Sequence, residues 1–352
     1  MNRLYALDYL RGLAASSIMI FHYVSWNLGE LDSGSVLGRM GIYGVSVFYV
    51  LSGLTLYLVY FNRMHPTAWE LGDFVIKRIA RIYPLLWLCT LLVIVLNRDP
   101  IDLWILVLNF SGLFGFIDWD AGLATGIWSI GNELVFYSFF PLFVFLIKNS
   151  RLLFSALVAV ITTVYLLFAF RWLSPGLPLS QQWSTYINPL NQVLLFMTGF
   201  LIGYFNGIVK NTGVNIAILV ISFAILIFLP ASGNPITLVT GTNRLLFTLF
   251  GVGTCVSFYN LNFHFKNWVG KFLSLLGETS YSIYLIHPIV WTICFSVFKR
   301  LNVYLEIHII FQITFAMGVT LAASYLSYEY FEKLFIRKGK SLTETLFVKN
   351  LR

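Results

Sequence analysis

Apolar stretches of about twenty residues recur from one end of the chain to the other, and the polar segments between them are no longer than loops. Such a stretch is what an α-helix needs to cross the roughly 30 Å hydrocarbon core of a bilayer, at about 1.5 Å of rise per residue. Ten segments follow from the pattern, near 5–27, 41–62, 80–97, 126–147, 152–171, 189–209, 213–230, 242–261, 279–299 and 307–336. The third is short, and the apolar piece 103–117 (LWILVLNFSGLFGFI) leaves open an interfacial or re-entrant helix. The expected fold is an all-α polytopic membrane protein, a bundle of about ten transmembrane helices making one domain over 1–340, with a short tail at 341–352.

Composition removes the soluble alternative: 58% of residues are hydrophobic, 11% are charged, and the mean hydropathy is +0.80. Charge then orients the bundle, because cytoplasmic loops carry the excess of Lys and Arg. With both termini cytoplasmic, the inner segments hold 16 cations, and the outer loops hold six, namely Arg39, Arg98, Arg171, Arg244, Lys299 and Arg300. The outer loops also hold Glu30, Asp32, Asp99, Asp102, Asp118, Asp120 and Glu306. The net charge of +8 is therefore an inner-face property, suited to anionic membrane lipid or a phosphorylated cytosolic ligand, and nucleic acid is not implied. Cys89, Cys255 and Cys294 show no CxxC spacing, so neither a disulfide framework nor a metal site is expected. Arg11 within the first span, with no small-residue cleavage site after it, argues against a cleavable signal peptide.

The polar residues inside the spans carry the chemistry, since ionisable groups at membrane depth are costly and mark function by default. Arg11 and His22 are eleven residues apart on the first span, about 16 Å along the axis and nearly on one face. Snorkelling to headgroups is the plainer reading of Arg11, and a structural hydrogen bond the plainer one of His22. The fourth span places Trp128, Ser129, Asn132, Glu133 and Tyr137 within about two turns. Glu133 must be protonated, paired with a cation from another span, or bonded to a hydroxyl or carbonyl. Its depth matches that of His22 on a helix running the other way. Lys77, Arg78 and Arg81 stand at the inner mouth of the third span, where Arg78 and Arg81 can grip one phosphorylated ligand, although topology alone explains some of these charges. GETSYSIYLIHPIVW opens the ninth span with Ser280, Tyr281, Ser282, Tyr284 and His287, and Pro288 predicts a local break beside that histidine.

Six segments together resemble the acyltransferase 3 family of integral membrane acyltransferases. In order they are LDYLRGLAA with Arg11 and His22, VSVFYVLSGL, KRIARIYP with Arg78 and Arg81, WSIGNELVFY with Glu133, GETSYSIYLIH, and SYEYFEKLF. The resemblance implies transfer of an acyl group, usually acetyl from acetyl-CoA, to a hydroxyl of a cell-envelope glycan such as O-antigen, exopolysaccharide or a lipid-linked sugar. It further implies a multi-pass protein of a bacterial plasma (inner) membrane with no bound cofactor and acyl-CoA as co-substrate. The chain looks like the stand-alone type without an SGNH hydrolase-like domain. One departure is the Gly131 and Asn132 pair before Glu133, where family members commonly carry Leu and a bulkier residue.

On this basis His22 is the expected general base and Glu133 its orienting carboxylate. Arg11, Arg78 and Arg81 are expected to hold the donor's phosphates. Ser280, Tyr281 and Tyr284 are expected near the developing oxyanion, with Trp128, Ser129 and His287 in support. Direct transfer and a transient acyl-enzyme both stay open. The competing expectation is a proton-coupled transporter or flippase of a glycan or acyl donor that uses the same Arg, His and Glu as a relay; a sensory or structural membrane protein is a third.

Overall fold

In a computed structural model of the chain, the residues described are 3–65, 67–97, 100–205, 211–301 and 308–348. Arg98, Asp99, Lys210, Glu306, Lys349 and Arg352, which entered the charge pattern above, lie outside them. Among the described residues every regular element is helical. In chain order they are α1 (Tyr5–Leu28), α2 (Val36–Tyr60), α3 (Ala68–Asn97), α4 (Leu103–Ser111), α5 (Phe114–Ile117), α6 (Ile127–Asn149), α7 (Arg151–Leu167), α8 (Trp183–Ile187), α9 (Pro189–Tyr204), α10 (Thr212–Phe228), α11 (Ile236–Val239), α12 (Gly241–Leu261), α13 (Trp268–Glu278), α14 (Ser280–Arg300), α15 (Ile309–Leu326) and α16 (Lys333–Thr343). A π-helical run, Phe168–Trp172, extends α7, and another, Ser327–Glu332, joins α15 to α16.

Small polar residues start the helices where the apolar runs begin, each satisfying a first-turn N–H. Ser35 accepts from Gly38 N–H, Asp102 from Trp104, Ser150 from Leu153, Asn211 from Val214 and Asn267 from Gly270. Each of the ten predicted segments contains a helix. Among the described residues, seven helices are long and apolar enough to cross a membrane: Val36–Tyr60, Ala68–Asn97, Ile127–Asn149, Arg151–Trp172, Gly241–Leu261, Ser280–Arg300 and Ile309–Leu346. Two more, Pro189–Tyr204 and Thr212–Phe228, are apolar but shorter, and α1 is long enough but carries Asp8 and Arg11. The 103–117 piece breaks at Gly112 (φ 73°) into helices of nine and four residues, far too short to cross.

The chain divides into two compact units, Met1–Phe61 with Ser150–Ser280, and Asn62–Asn149 with Tyr281–Arg352. Within the first, α2 and α9 make the most extensive helix pair, and glycine at the crossing makes it possible. A side chain at Gly53 would fall on the Phe196 carbonyl, and one at Gly199 on the Val50 carbonyl. Two cations assigned above to outer loops are instead buried in this unit. Arg39, 2% exposed, donates to the Ser33, Leu226, Ile227 and Leu229 carbonyls at 2.7–3.1 Å, satisfying backbone oxygens at the end of α10. Arg244, 3% exposed, donates to the Asn191 carbonyl at 3.0 Å and lies over the Tyr165 ring at 4.1 Å. Sequence position could not distinguish these buried helix residues from loop charges, because both lie beside polar turns.

Candidate active site

In the first unit, α1 carries Arg11 and His22. One turn before Arg11, Asp8 lies 3.9 Å from its Nη1, and Arg11 Nη2 donates to Thr55 Oγ1 of α2 at 2.7 Å. Thr55 in turn bonds the Leu51 carbonyl of its own helix, which fixes the hydroxyl. Asp8 is also bridged to Arg3 at 2.8 Å, and Arg3 to Glu278 of the GETSYS segment at 2.7 Å. Arg11 therefore sits in a four-residue chain of alternating charge, its head oriented by Thr55. Eleven residues on, His22 is half-buried, with its ring stacked on Trp26 (5.0 Å between centroids, 8° between planes) and tilted against Phe21. The spacing places both groups on one wall of α1, about 16 Å apart.

The second unit holds the other predicted residues except Ser280, the last residue of the first unit. The KRIARIYP segment lies inside α3, whose first residues are already helical from Ala68, so the cations decorate a helix and not a loop. Lys77 is paired with Asp73 at 2.6 Å, Arg78 lies over the Phe74 ring at 6.0 Å, and Arg81 is exposed. On α6, Ser129 is buried and its Oγ bonds Tyr284 Oη at 2.8 Å, while Tyr284 donates to the Gly126 carbonyl at 3.0 Å. Glu133 and Trp128, on the same helix, are half-buried. Gly131 has a packing reason: a side chain there would meet the Phe114 ring and Gly115 Cα, so the glycine admits α5 against α6.

On α14, Tyr281 donates to the Ile82 carbonyl at 2.7 Å, beside Arg81 on α3, and Ser280 bonds Gly277 in its own turn. The break predicted at Pro288 is absent. α14 runs unbroken through it, His287 Nδ1 lies 3.0 Å from the Ile283 carbonyl one turn back, and Thr292 bonds the Pro288 carbonyl. A proline inside a packed helix removes one ladder bond without forcing the chain to depart.

Two residues of this chemistry escaped sequence reasoning. Thr55 gave no signal of its own, being a hydroxyl in an apolar span. Glu332 was visible as the second acid of SYEYFEKLF; it is 5% exposed at the end of the π-helical run, bonded to Ser282, and reached by the charge of Arg81. Buried carboxylates persist only with such partners, and π-helical turns recur at functional sites.

The acyltransferase 3 family model, described as an acyltransferase domain, matches residues 4–329. No curated protein and no solved structure matches the chain. With apolar helices able to cross a bilayer and a family match that takes in Arg11, His22, Arg81, Glu133 and Tyr284, the chain belongs to the acyltransferase 3 family and is a multi-pass membrane acyltransferase.

Proposed function

We propose that the protein moves an acetyl group from acetyl-CoA to a hydroxyl of a cell-envelope glycan or lipid-linked sugar. The observation that carries this reading is the wall of α1, where an oriented arginine and a histidine stand about 16 Å apart, an arrangement suited to a donor with charged phosphates at one end and a thioester at the other. In this reading α1, α9 and α10 complete a ten-span bundle with both termini cytoplasmic, in a bacterial plasma membrane.

The chemistry follows from the residue types. A sugar hydroxyl is a weak nucleophile near neutral pH, so His22 takes its proton as the oxygen attacks the thioester carbonyl. The C–O bond forms, the tetrahedral oxyanion collapses, the C–S bond breaks, and the proton passes from the imidazolium to the departing CoA thiolate. Glu133 supplies the carboxylate that steadies the imidazolium. Arg11, Arg78 and Arg81 hold the donor's phosphates. Tyr281, Tyr284, Ser129 and Ser280 supply hydroxyls for the oxyanion or for positioning, with Trp128 and His287 packed in support.

The test is donor turnover by purified protein: free thiol should appear from acetyl-CoA only when a glycan acceptor is present, with an ester of matching mass on the sugar. Movement of sugar or donor across vesicles without ester formation would favour transport and overturn the reading.

A further inference from the structure

His22 lies in the C-terminal part of α1, and two aromatic rings of the same helix meet its imidazole. Residues four apart sit one above the other on a helix, so Trp26 comes to lie over His22. The two rings stack with centroids 5.0 Å apart and planes 8° from parallel. Phe21 meets the same imidazole at 5.2 Å and 57°. Tyr23, fully buried, meets the Trp26 ring at 6.0 Å and 43° and so braces the indole from the core. α2 takes part through Gly41: a side chain there would fall on the Phe21 ring, and the glycine leaves the room that this ring occupies.

Core packing is a weak reason for this stack. Trp26 is 40% exposed, whereas the side chains that anchor α1 in its unit, Tyr9, Ile18, Met19 and Tyr23, are at most 1% exposed. A chemical reason is stronger, because the face of an indole carries negative charge density and attracts a cation. In the reading above His22 is a cation only between taking the acceptor's proton and returning it to the departing thiolate. A neutral imidazole gains less from the indole face than an imidazolium does. The stack therefore stabilises the charged intermediate more than the resting enzyme, and only such a difference raises a rate. A parallel stack also covers a face of the imidazole and not its edge, where both ring nitrogens lie.

We propose that Trp26 is a positioning residue for His22: its indole fixes the plane of the imidazole and stabilises the imidazolium formed during acyl transfer, while Phe21, given room by Gly41, braces the same ring. This rests on the reading of His22 as the base, and it gives an aromatic neighbour on α1 part of the stabilisation otherwise assigned to Glu133. Tryptophan has the strongest face of the aromatic side chains for a cation, so activity should follow the order Trp, Phe, Leu at position 26.

The experiment measures kcat and KM for the full chain in one membrane mimic, with acetyl-CoA as donor and envelope glycan stripped of its esters as acceptor. W26L should lower kcat about threefold to thirtyfold, with KM for acetyl-CoA within about twofold of wild type, and W26F should recover part of the loss. Fluorinated tryptophans installed at position 26 keep the shape of the ring and weaken its negative face, so kcat should fall stepwise with each added fluorine. A side chain that only packs would not respond to fluorine, and the near-isosteric series keeps the test sound where W26L fails to fold. A kcat that is flat across the fluorine series would overturn the proposal, as would a W26L defect confined to KM for acetyl-CoA. H22A that is slow beside a flat Trp26 series sinks the positioning role alone, whereas H22A that turns over like wild type removes the base reading and the role of Trp26 with it.

Discussion

Single side chains divide here into those that hold the fold and those to which the proposed function gives chemistry, and the two kinds predict different phenotypes. Arg39 answers several backbone carbonyls from one buried fork. Arg39→Lys keeps the charge but loses the fork, and should cost about 2–3 kcal/mol of stability, read as a lower Tm, with turnover per folded molecule unchanged. Thr55→Val removes the hydroxyl that orients Arg11. Apparent KM for acetyl-CoA should rise about threefold to tenfold with little change in kcat, the size of one lost hydrogen bond; an acceptor effect instead would refute the donor role of Arg11. Ser282 and Glu332 should couple by about 0.5–3 kcal/mol in a double-mutant cycle on thermal stability, as contacting residues do. At this scale Arg11 and His22 were legible because a charge within an apolar run is conspicuous. Thr55 and the burial of Arg39 were not, because hydrogen-bond partners far along the chain leave no local trace.

Among the elements, helix starts were the most legible feature, since a Ser, Asp or Asn just before an apolar run has a local cause. Helix length was less so: the charges at Lys77 and Arg78 suggested that the third span begins near 80, yet α3 is helical from Ala68, because charged residues are good helix formers in water. Pro288 misled for the opposite reason, its local cost being overridden by packing around α14. The α2–α9 contact makes a clear prediction. Gly199→Val forces a side chain onto the Val50 carbonyl and should destabilise by at least about 1–3 kcal/mol, seen as earlier thermal unfolding. The loop after α1 offers a pH test. Asp32 accepts N–H bonds from Gly34 and Gly233, which hold its carboxyl below the ordinary value of 3.8. A depressed pKa stabilises above the unfolded value and is lost as pH falls through the folded one. The Tm gap between wild type and Asp32→Asn should therefore be constant near neutrality and shrink as pH drops below about 4.

For the whole molecule, the hydropathy pattern and six ordered motifs carried the membrane class and the family, because both are written in local sequence. The grouping of segments into units, which joins the first two helices to α7–α13, and α3–α6 to α14–α16, is set by contacts remote in sequence. His22→Ala and Glu133→Gln should each lower turnover by about 10²–10⁴-fold, and the double variant should fall little below the slower single, as residues acting as one unit do. The central claim is that His22 drives acyl transfer from CoA to a sugar hydroxyl. Its most direct test is acceptor-dependent CoA release from acetyl-CoA by purified wild type and His22→Ala protein in the same membrane mimic. The account predicts steady thiol release with ester formation for wild type and near-background release for a folded His22→Ala variant; undiminished release by that variant would contradict it.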